Sequence, residues 1–530
     1  MTTHNNETRG AGGSAACPMY PHLRPTELLL SSSTTNTRLR KSKSRFGQHP
    51  TYLHGVHISV LGLVALAVAS SPAWAVLGGR PGQTENQAAT GTAVQTACGQ
   101  LGPAGGVAGT LPALQQQLFN RCRELVNTAN DLDGLPAPNT LDLTEQQLAA
   151  ALQQVAPEEV ITQGTMAVET SNGQVTNIGA RLAALHRGAG GFSASGLSFI
   201  AGGRTLEPAM LGATMPVDGA RGGGAAADEG FSKLGGFING TISSGEKDIT
   251  TLEDGFDVDA VGITAGVDYR FSDKFVFGGA LGLTNLDADI DTFGSSTNPV
   301  VNGGKVESDG FTLSGYGTYF VSDKYYIDGI ISLGKNDYDI TRSIFYTPGP
   351  GGSGTAAVVT AATTADTDSD QVALSIGGGY QGSSGGATWG AYARLDYLKV
   401  EIDSFTEAGA GGLNLFVDDQ EVKSLVSIIG GRISKAFSRH FGVLIPQGRL
   451  EWHHEFENDS RSIVTKYAND PFDTFFISTT DDPDEDFFVL GGGVSAVFKG
   501  GTQAFIFLET VLELEDVTNN VITIGGRREF

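Results

Sequence analysis

Long apolar runs are missing from this 530-residue sequence. None approaches the ~20 residues that a bilayer-spanning helix needs, so no such helix is expected. Charge is scarce, at 17% of residues, and lopsided: 34 basic against 58 acidic side chains give a net charge of −24. The first 75 residues hold 7 basic and 2 acidic groups, which leaves 27 against 56 in the remainder. A chain that binds phosphate backbones needs a basic face, and nucleic acid is excluded as a partner. Cysteine is nearly absent, with Cys17, Cys98 and Cys122 the whole complement. Glycine, by contrast, is abundant at 74 residues. With so few charges this composition fits either a low-complexity chain or a wall built from small residues, and the patterning below decides for the wall.

The N-terminus reads as an address. A basic cluster (Arg38, Arg40, Lys41, Lys43, Arg45) precedes an apolar core from Val60 to Ala69, followed by Ser70-Ser71-Pro72-Ala73-Trp74-Ala75. This is the layout of a secretory signal with cleavage after Ala75, the small residues Ala73 and Ala75 forming the recognition pair. The basic segment is long, and Met19 is an alternative start. Cys17 falls before the core, so Cys98 and Cys122 are the cysteines that reach an oxidising compartment, where one disulfide between them is expected.

Residues 76–187 read as a small helical region. Leu111, Leu114, Leu118, Cys122 and Leu125 share one helical face, and Cys98 sits in another helix over roughly 85–101. A Cys98–Cys122 bridge staples the two as a hairpin. Thr144 and Gln147 make a capping box for a further helix. Pro157 suits the first turn of the next, along which Ile161, Val168, Val175 and Leu182 recur every seven residues, with Ile178 and Leu185 between the rungs. That stripe is expected to pack against the earlier helices in a bundle; a helical adhesive stalk is the alternative. Residues 188–234 are a Gly- and Ala-rich linker, slim enough to pass through a barrel lumen in extended form.

From residue 235 to the end, twelve segments alternate apolar and polar residues. In the second, Val261, Ile263, Ala265, Val267, Tyr269 and Phe271 face one way, and Gly262, Thr264, Gly266, Asp268 and Arg270 the other. The fourth opposes Phe311, Leu313 and Tyr319 to Thr312, Ser314 and Thr318; the seventh opposes Trp389, Leu395 and Tyr397 to Arg394 and Asp396. Short turns (271–274, 321–324, 381–387, 437–441, 499–502) alternate strictly with longer loops (247–255, 289–305, 342–368, 403–420, 458–485, 516–520). An even number of alternating strands, aromatics near the strand ends, and turns of two lengths define a transmembrane barrel with short turns in the periplasm and long loops outside. The expected fold is a twelve-stranded antiparallel transmembrane β-barrel behind a small α-helical N-terminal region. On this register an arginine at Ile263 faces lipid, whereas one at Thr264 faces a polar lumen and is expected to be tolerated better.

Asp257-Val-Asp-Ala-Val-Gly-Ile-Thr-Ala-Gly-Val-Asp-Tyr-Arg-Phe271, Leu450-Glu-Trp-His-His-Glu-Phe-Glu-Asn458 and the terminal aromatic Phe530 together resemble the translocator domain of autotransporters (type V secretion), over the whole barrel of 235–530. The place two residues before the end, often aromatic in that family, holds Arg528. The resemblance implies a barrel that inserts into outer-membrane lipid through periplasmic chaperones and the barrel assembly (Bam) machinery, with Phe530 as the assembly signal. It also implies that the barrel displays its own N-terminal passenger at the cell surface of a Gram-negative bacterium. Some members cleave their passenger at an Asn-Asn pair in the lumen; Asn519-Asn520 lies in the last outer turn, and no cleavage is expected there.

Catalysis is not expected. Gly382-Ser-Ser-Gly-Gly386 matches G-x-S-x-G but sits in a β-turn rather than a strand-to-helix elbow. His453 and His454 are neighbours on a strand and point to opposite faces, so no metal site forms from them, and no cofactor is expected. Asp268, Arg270, Arg394, Asp396, Arg449 and Glu451 point inward, either as a charge network that holds the linker or as a hydrated lining. Their paired opposite signs argue for salt bridges over an ion-selective filter. The leading expectation is an autotransporter presenting a short helical passenger to an unknown surface ligand, as in adhesion. The alternatives are a porin-like channel with an N-terminal plug, and a surface enzyme using acidic loop residues such as Asp481 and Asp482.

Overall fold

The computed structural model describes residues 75–105, 110–186, 192–198, 200–201, 204–205, 234–291, 303–352, 358–385, 387–498, 502–514, 516 and 520–528. Ala73, Phe530, and most of the linker lie outside them. Twelve strands follow one another as neighbours: β1 Leu234–Lys247, β2 Phe256–Ser272, β3 Phe275–Ile290, β4 Gly304–Phe320, β5 Tyr325–Tyr346, β6 Val359–Ser384, β7 Ala387–Ile402, β8 Gln420–Lys435, β9 Gly442–Glu455, β10 Asp486–Phe498, β11 Thr502–Leu512 and β12 Asn520–Arg528. Every consecutive pair is antiparallel. Two short strands extend this sheet: Phe192–Ser198, parallel to β1 and lying against β12 as well, and Phe437–Arg439, paired with β9.

The alternation has the polarity of a membrane wall. In β2, Ile263 is 54% exposed and Thr264 1%. Outward rows are apolar across strands: Ala265, Leu281, Leu313, Leu333 and Val372 stand side by side on β2 to β6. The buried face carries Thr264, Asp268, Thr312, Ser314 and Thr318. A soluble sandwich reverses this assignment; a lipid-facing barrel requires it. At the short-turn end, Tyr269 with Phe271, Phe271 with Phe275, and Tyr380 with Trp389 form ring pairs 4.9–5.9 Å apart, an aromatic girdle at one interface.

The short and long connections fall where the turn residues put them, with two differences. β5 and β6 continue through most of 342–368, reaching Tyr346 and resuming at Val359. Loops 403–420 and 458–485 are not plain hydrated loops. They carry four short strands, Phe405–Thr406, Leu415–Val417, Ser462–Tyr467 and Phe475–Thr479, hydrogen-bonded in that order into a second sheet.

Four helices precede the wall: α1 Glu85–Gly105, α2 Ala113–Leu132, α3 Glu145–Gln153 and α4 Glu158–His186. Among the described residues, no helix is long and apolar enough to cross a membrane. Cys98 of α1 and Cys122 of α2 are bridged, their Cα atoms 5.4 Å apart. The capping box at Thr144 and Gln147 is present at the start of α3. Helices α1 to α3 share one core with residues of the outer loops, among them Ile344, Tyr346, Leu415, Tyr467 and Phe476. They form a cap at the long-loop end of the barrel. Ala75, the last residue of the expected signal, is buried in this cap, its N–H donating to Asn130 Oδ1 at 2.7 Å.

Among the described residues, the seven-residue stripe of α4 packs on the wall rather than on the other helices. Ile161 sits among Phe256, Val258 and Leu286 of the wall, and Val175, Ile178, Leu182 and Leu185 among Phe237, Val276, Ala280 and Ile330. The helix stands inside the barrel. An apolar repeat specifies a surface to bury, and the barrel interior supplies one as well as a neighbouring helix does. The disulfide is a first point for experiment: peptide mapping of protein from the outer membrane is expected to return Cys98 linked to Cys122, and two free thiols there would contradict the hairpin.

Candidate functional site: the occupied lumen and its cap

Helix α4 packs against β1 to β8. Its first turns lie at the long-loop end, where Gln420 Nε2 donates to Gln163 Oε1 at 3.4 Å and Gly164 leaves room for the Arg461 guanidinium. Its last residue, His186, lies near the β4–β5 turn, with Nε2 2.8 Å from Asp328 Oδ1 and its ring stacked on Tyr326 at 3.7 Å. The helix therefore runs from outside toward the periplasmic end, where β1 begins.

Its polar stripe is set by helical spacing: Gln174, Asn177 and Arg181 fall on one face. Asn177 Nδ2 donates to Thr264 Oγ1 at 3.0 Å, Thr264 Oγ1 donates to Gln174 Oε1 at 2.8 Å, and Gln174 Nε2 donates to Ser314 Oγ at 3.3 Å. Arg181 grips Asp268 through Nε at 2.7 Å and Nη2 at 3.0 Å, both side chains almost fully buried. Tyr316 adds a third donor to Asp268 at 3.1 Å. It can lie across β3 because Gly278 has no Cβ, just as Gly282 admits the Gln174 amide.

Asp268 is thus bound by helix α4, which precedes the linker expected to fill the lumen. Arg270, two residues along its own strand, instead lies over the Phe320 ring at 6.0 Å. Arg394 and Asp396 pair directly at 2.8 Å. Arg449 stands 3.7 Å from Glu451, which also receives Tyr392 and lies 3.1 Å from His453 Nε2. Sequence reasoning singled out the carboxylate of the α4 clamp and missed the arginine, because a lone Arg on an amphipathic helix carries no signal of its partner.

The cap is fastened at its seam with the barrel. Arg342 and Glu407, both 2% exposed at the side chain, form a buried pair. Arg342 also donates to Gln154 O at 3.2 Å and Leu413 O at 3.1 Å, and Glu407 accepts from Thr363 Oγ1 and Leu415 N. Asn86 on α1 bridges two loops, accepting from Thr479 N at 2.8 Å and donating to Leu252 O at 2.7 Å. Lys247 joins Glu253 to Asp481.

Asp254 lies in this seam, 9% exposed, accepting from Gln153 Nε2 at 3.0 Å. Burial first, and then the nearby Asp291 carboxylate, push its pKa up to about 7, against a lowering by Gln153. A carboxyl whose folded pKa is raised gives stability that is complete below its ordinary pKa near 4 and is lost as pH rises through 7. Removing the charge with Asp254→Asn is expected to raise the unfolding midpoint at pH 8 and leave it unchanged at pH 4. An equal effect at both pH values would refute the assignment.

His453 and Glu455 point inward and His454 outward, as strand alternation requires. At the outer rim the β9–β10 register sets His454 against Asp486, with Nδ1 2.9 Å from Asp486 Oδ1 and Nε2 4.0 Å from Glu485 Oε1. Nδ1 is hydrogen-bonded to Asp486, whereas Nε2 lies beyond hydrogen-bonding distance of Glu485. Ser384 ends β6 and is cross-strand partner to Ala387 at the head of β7, so it occupies a hairpin.

A membrane wall of twelve strands, short turns at one end and long loops at the other, with a helix through the lumen, defines an outer-membrane β-barrel with an occupied lumen. The family model described as autotransporter β-domain matches residues 236–508, just over half of the sequence, and the chain belongs to that family. It is accordingly an outer-membrane protein of type V secretion in a Gram-negative bacterium. Among solved structures, the chain is similar to the translocator domain of the autotransporter NalP from Neisseria meningitidis (17% identity, 59% of this chain and 91% of that one, TM-score 0.39). It is also similar to the β-domain of the Bordetella autotransporter BrkA (22%, 56% and 100%, TM-score 0.36). A third similar structure is the transport unit of AIDA-I from Escherichia coli (13%, 58% and 93%, TM-score 0.35). A comparison with curated proteins gives no match.

Proposed function

We propose that the barrel exports the residues ahead of α4 and retains them at the cell surface as a docked helical module, a non-enzymatic display role that ends in contact with a surface ligand. The observation that carries this reading is the path of α4. It enters the lumen at the long-loop end and leaves it at the short-turn end, so the cap and the start of β1 lie on opposite sides of the wall. A shared core between the cap and the outer loops supports retention over release. Insertion through periplasmic chaperones and the Bam machinery belongs to the same reading.

An epitope inserted after Pro136, in the turn between α2 and α3, tests it. Labelling of intact cells is expected. Labelling only after the outer membrane is permeabilised would place the module inside and overturn the proposal.

A further inference from the structure

The outer rim of β9 and β10 holds a cluster that the occupied lumen does not use. Its centre is His454, which strand alternation separates from His453. The side chains it meets come from the next strand. The β9–β10 register places Asp486 opposite His454, and Glu455 N donates to Glu485 O at 2.8 Å, so the backbone around both acidic residues is tied to β9. Trp452, two residues earlier on the same outward row, donates Nε1–H to Asp486 Oδ1 at 2.8 Å. The rings of Trp452 and Phe456 flank the imidazole, their centres 5.7 Å and 4.5 Å from it. The imidazole is thus held between two aromatic rings on a strand.

Its two nitrogens have different surroundings. Nδ1 lies 2.9 Å from Asp486 Oδ1, and a carboxylate only accepts, so in the neutral imidazole Nδ1 carries the proton and Nε2 keeps its lone pair. Among the described residues nothing donates to Nε2. It faces the Glu485 carboxylate across 4.0 Å. Two electron-rich groups in that position repel unless a cation stands between them. A metal bonded to a nitrogen and an oxygen at about 2.1 Å each holds them roughly 3–4 Å apart. The Glu485 side chain, 59% exposed, has room to turn into place. A carboxylate behind a ligating imidazole, as Asp486 is here, fixes its orientation and makes the other nitrogen a stronger donor. Asp482, Asp484, Glu485 and Asp486 follow one another with only Pro483 among them, and such a run raises the local concentration of cations. Imidazole with a carboxylate oxygen suits zinc, copper or nickel better than calcium or magnesium.

We propose that His454 Nε2 and the Glu485 carboxylate bind a divalent transition-metal ion at the outer rim, with Asp486 orienting the imidazole and water completing the coordination. The ion ties β9 to the returning end of the excursion that carries Ser462–Tyr467 and Phe475–Thr479 of the second sheet. The test titrates Cu2+ into mature protein purified from the outer membrane in detergent, without a histidine tag, and reads tryptophan emission. Beyond the expected signal the sequence has two tryptophans: Trp452 beside the site, and Trp389 at the short-turn end against Tyr380. Saturable quenching of part of the emission by one ion per chain is expected, reversed by a chelator and competed by Zn2+ but not by Mg2+. His454→Gln and Glu485→Gln should each weaken binding at least about tenfold, the loss that even an outer-shell change costs a metal site. His440→Gln, in a short turn, should leave it unchanged. Glu485→Gln, the more exposed of the two positions, keeps the test valid if His454→Gln fails to fold. Absence of saturable quenching, quenching that survives both substitutions, or an equal loss on His440→Gln overturns the proposal. So does displacement of Cu2+ by Mg2+ at equal concentration, which would mean that carboxylates alone hold an adventitious ion only.

Discussion

Asp268→Ala is expected to cost the folded protein about 3–5 kcal/mol, because removing one partner of a buried pair leaves the other charge in place without it. Arg181 and Asp268 are 1% and 4% exposed at the side chain, so little water reaches either one. The paired change Arg181→Met with Asp268→Leu should recover most of the loss, since apolar groups of similar size replace buried ion pairs at little cost. The midpoint of heat-induced loss of the compact electrophoretic form measures both. A merely hydrated lumen predicts a cost nearer ~1 kcal/mol, the range of exposed pairs, and that outcome would remove the clamp from the account of how α4 is held. The single variant should also raise single-channel conductance in planar bilayers, because a loosened helix opens the lumen.

The second large effect separates the two faces of the wall. Ile263 is outward and mid-strand on β2, and an arginine there should cost roughly 2–4 kcal/mol of barrel stability, as charges at the lipid midplane do. It should lower the yield of folded barrel in the outer membrane. Strand alternation alone expects Thr264→Arg to be mild. The structure changes that expectation, because Thr264 is wedged between Gln174 and Asn177 and an arginine has nowhere to go but through the helix. Thr264→Arg should therefore leave the barrel folded, unseat α4 and raise conductance. A larger loss of folded barrel from Thr264→Arg than from Ile263→Arg would reverse the inside and outside of β2.

The wall was legible because its period is two and its turns are marked. A strand with lipid on one side and a lumen on the other writes its register into every residue, so β2, β4 and β7 could be oriented from sequence alone. The occupant of the lumen was not legible. Val175, Ile178, Leu182 and Leu185 announce an apolar face, but the partners of that face come from strands far along the chain. Arg181 lies 87 residues from Asp268, whereas Arg270 lies two residues away and looked the natural partner. The second sheet escaped for a different reason. Strands as short as Leu415–Val417 alternate too briefly to stand out in a loop rich in Asp, Gly and Thr, and they are held by the cap they pack against rather than by their own propensity.

The four residues between α3 and α4, 154–157, are all that separates the cap from a helix gripped inside the barrel. The cap is thus a tethered ligand of its own outer loops. With so short a leash its effective concentration at the docking surface is in the millimolar range or above, set by geometry rather than by expression level. Opening of the seam at Arg342 and Asn86 is then a unimolecular event that dilution cannot favour. A soluble competitor for the outer loops must outcompete that local concentration to hold the cap open.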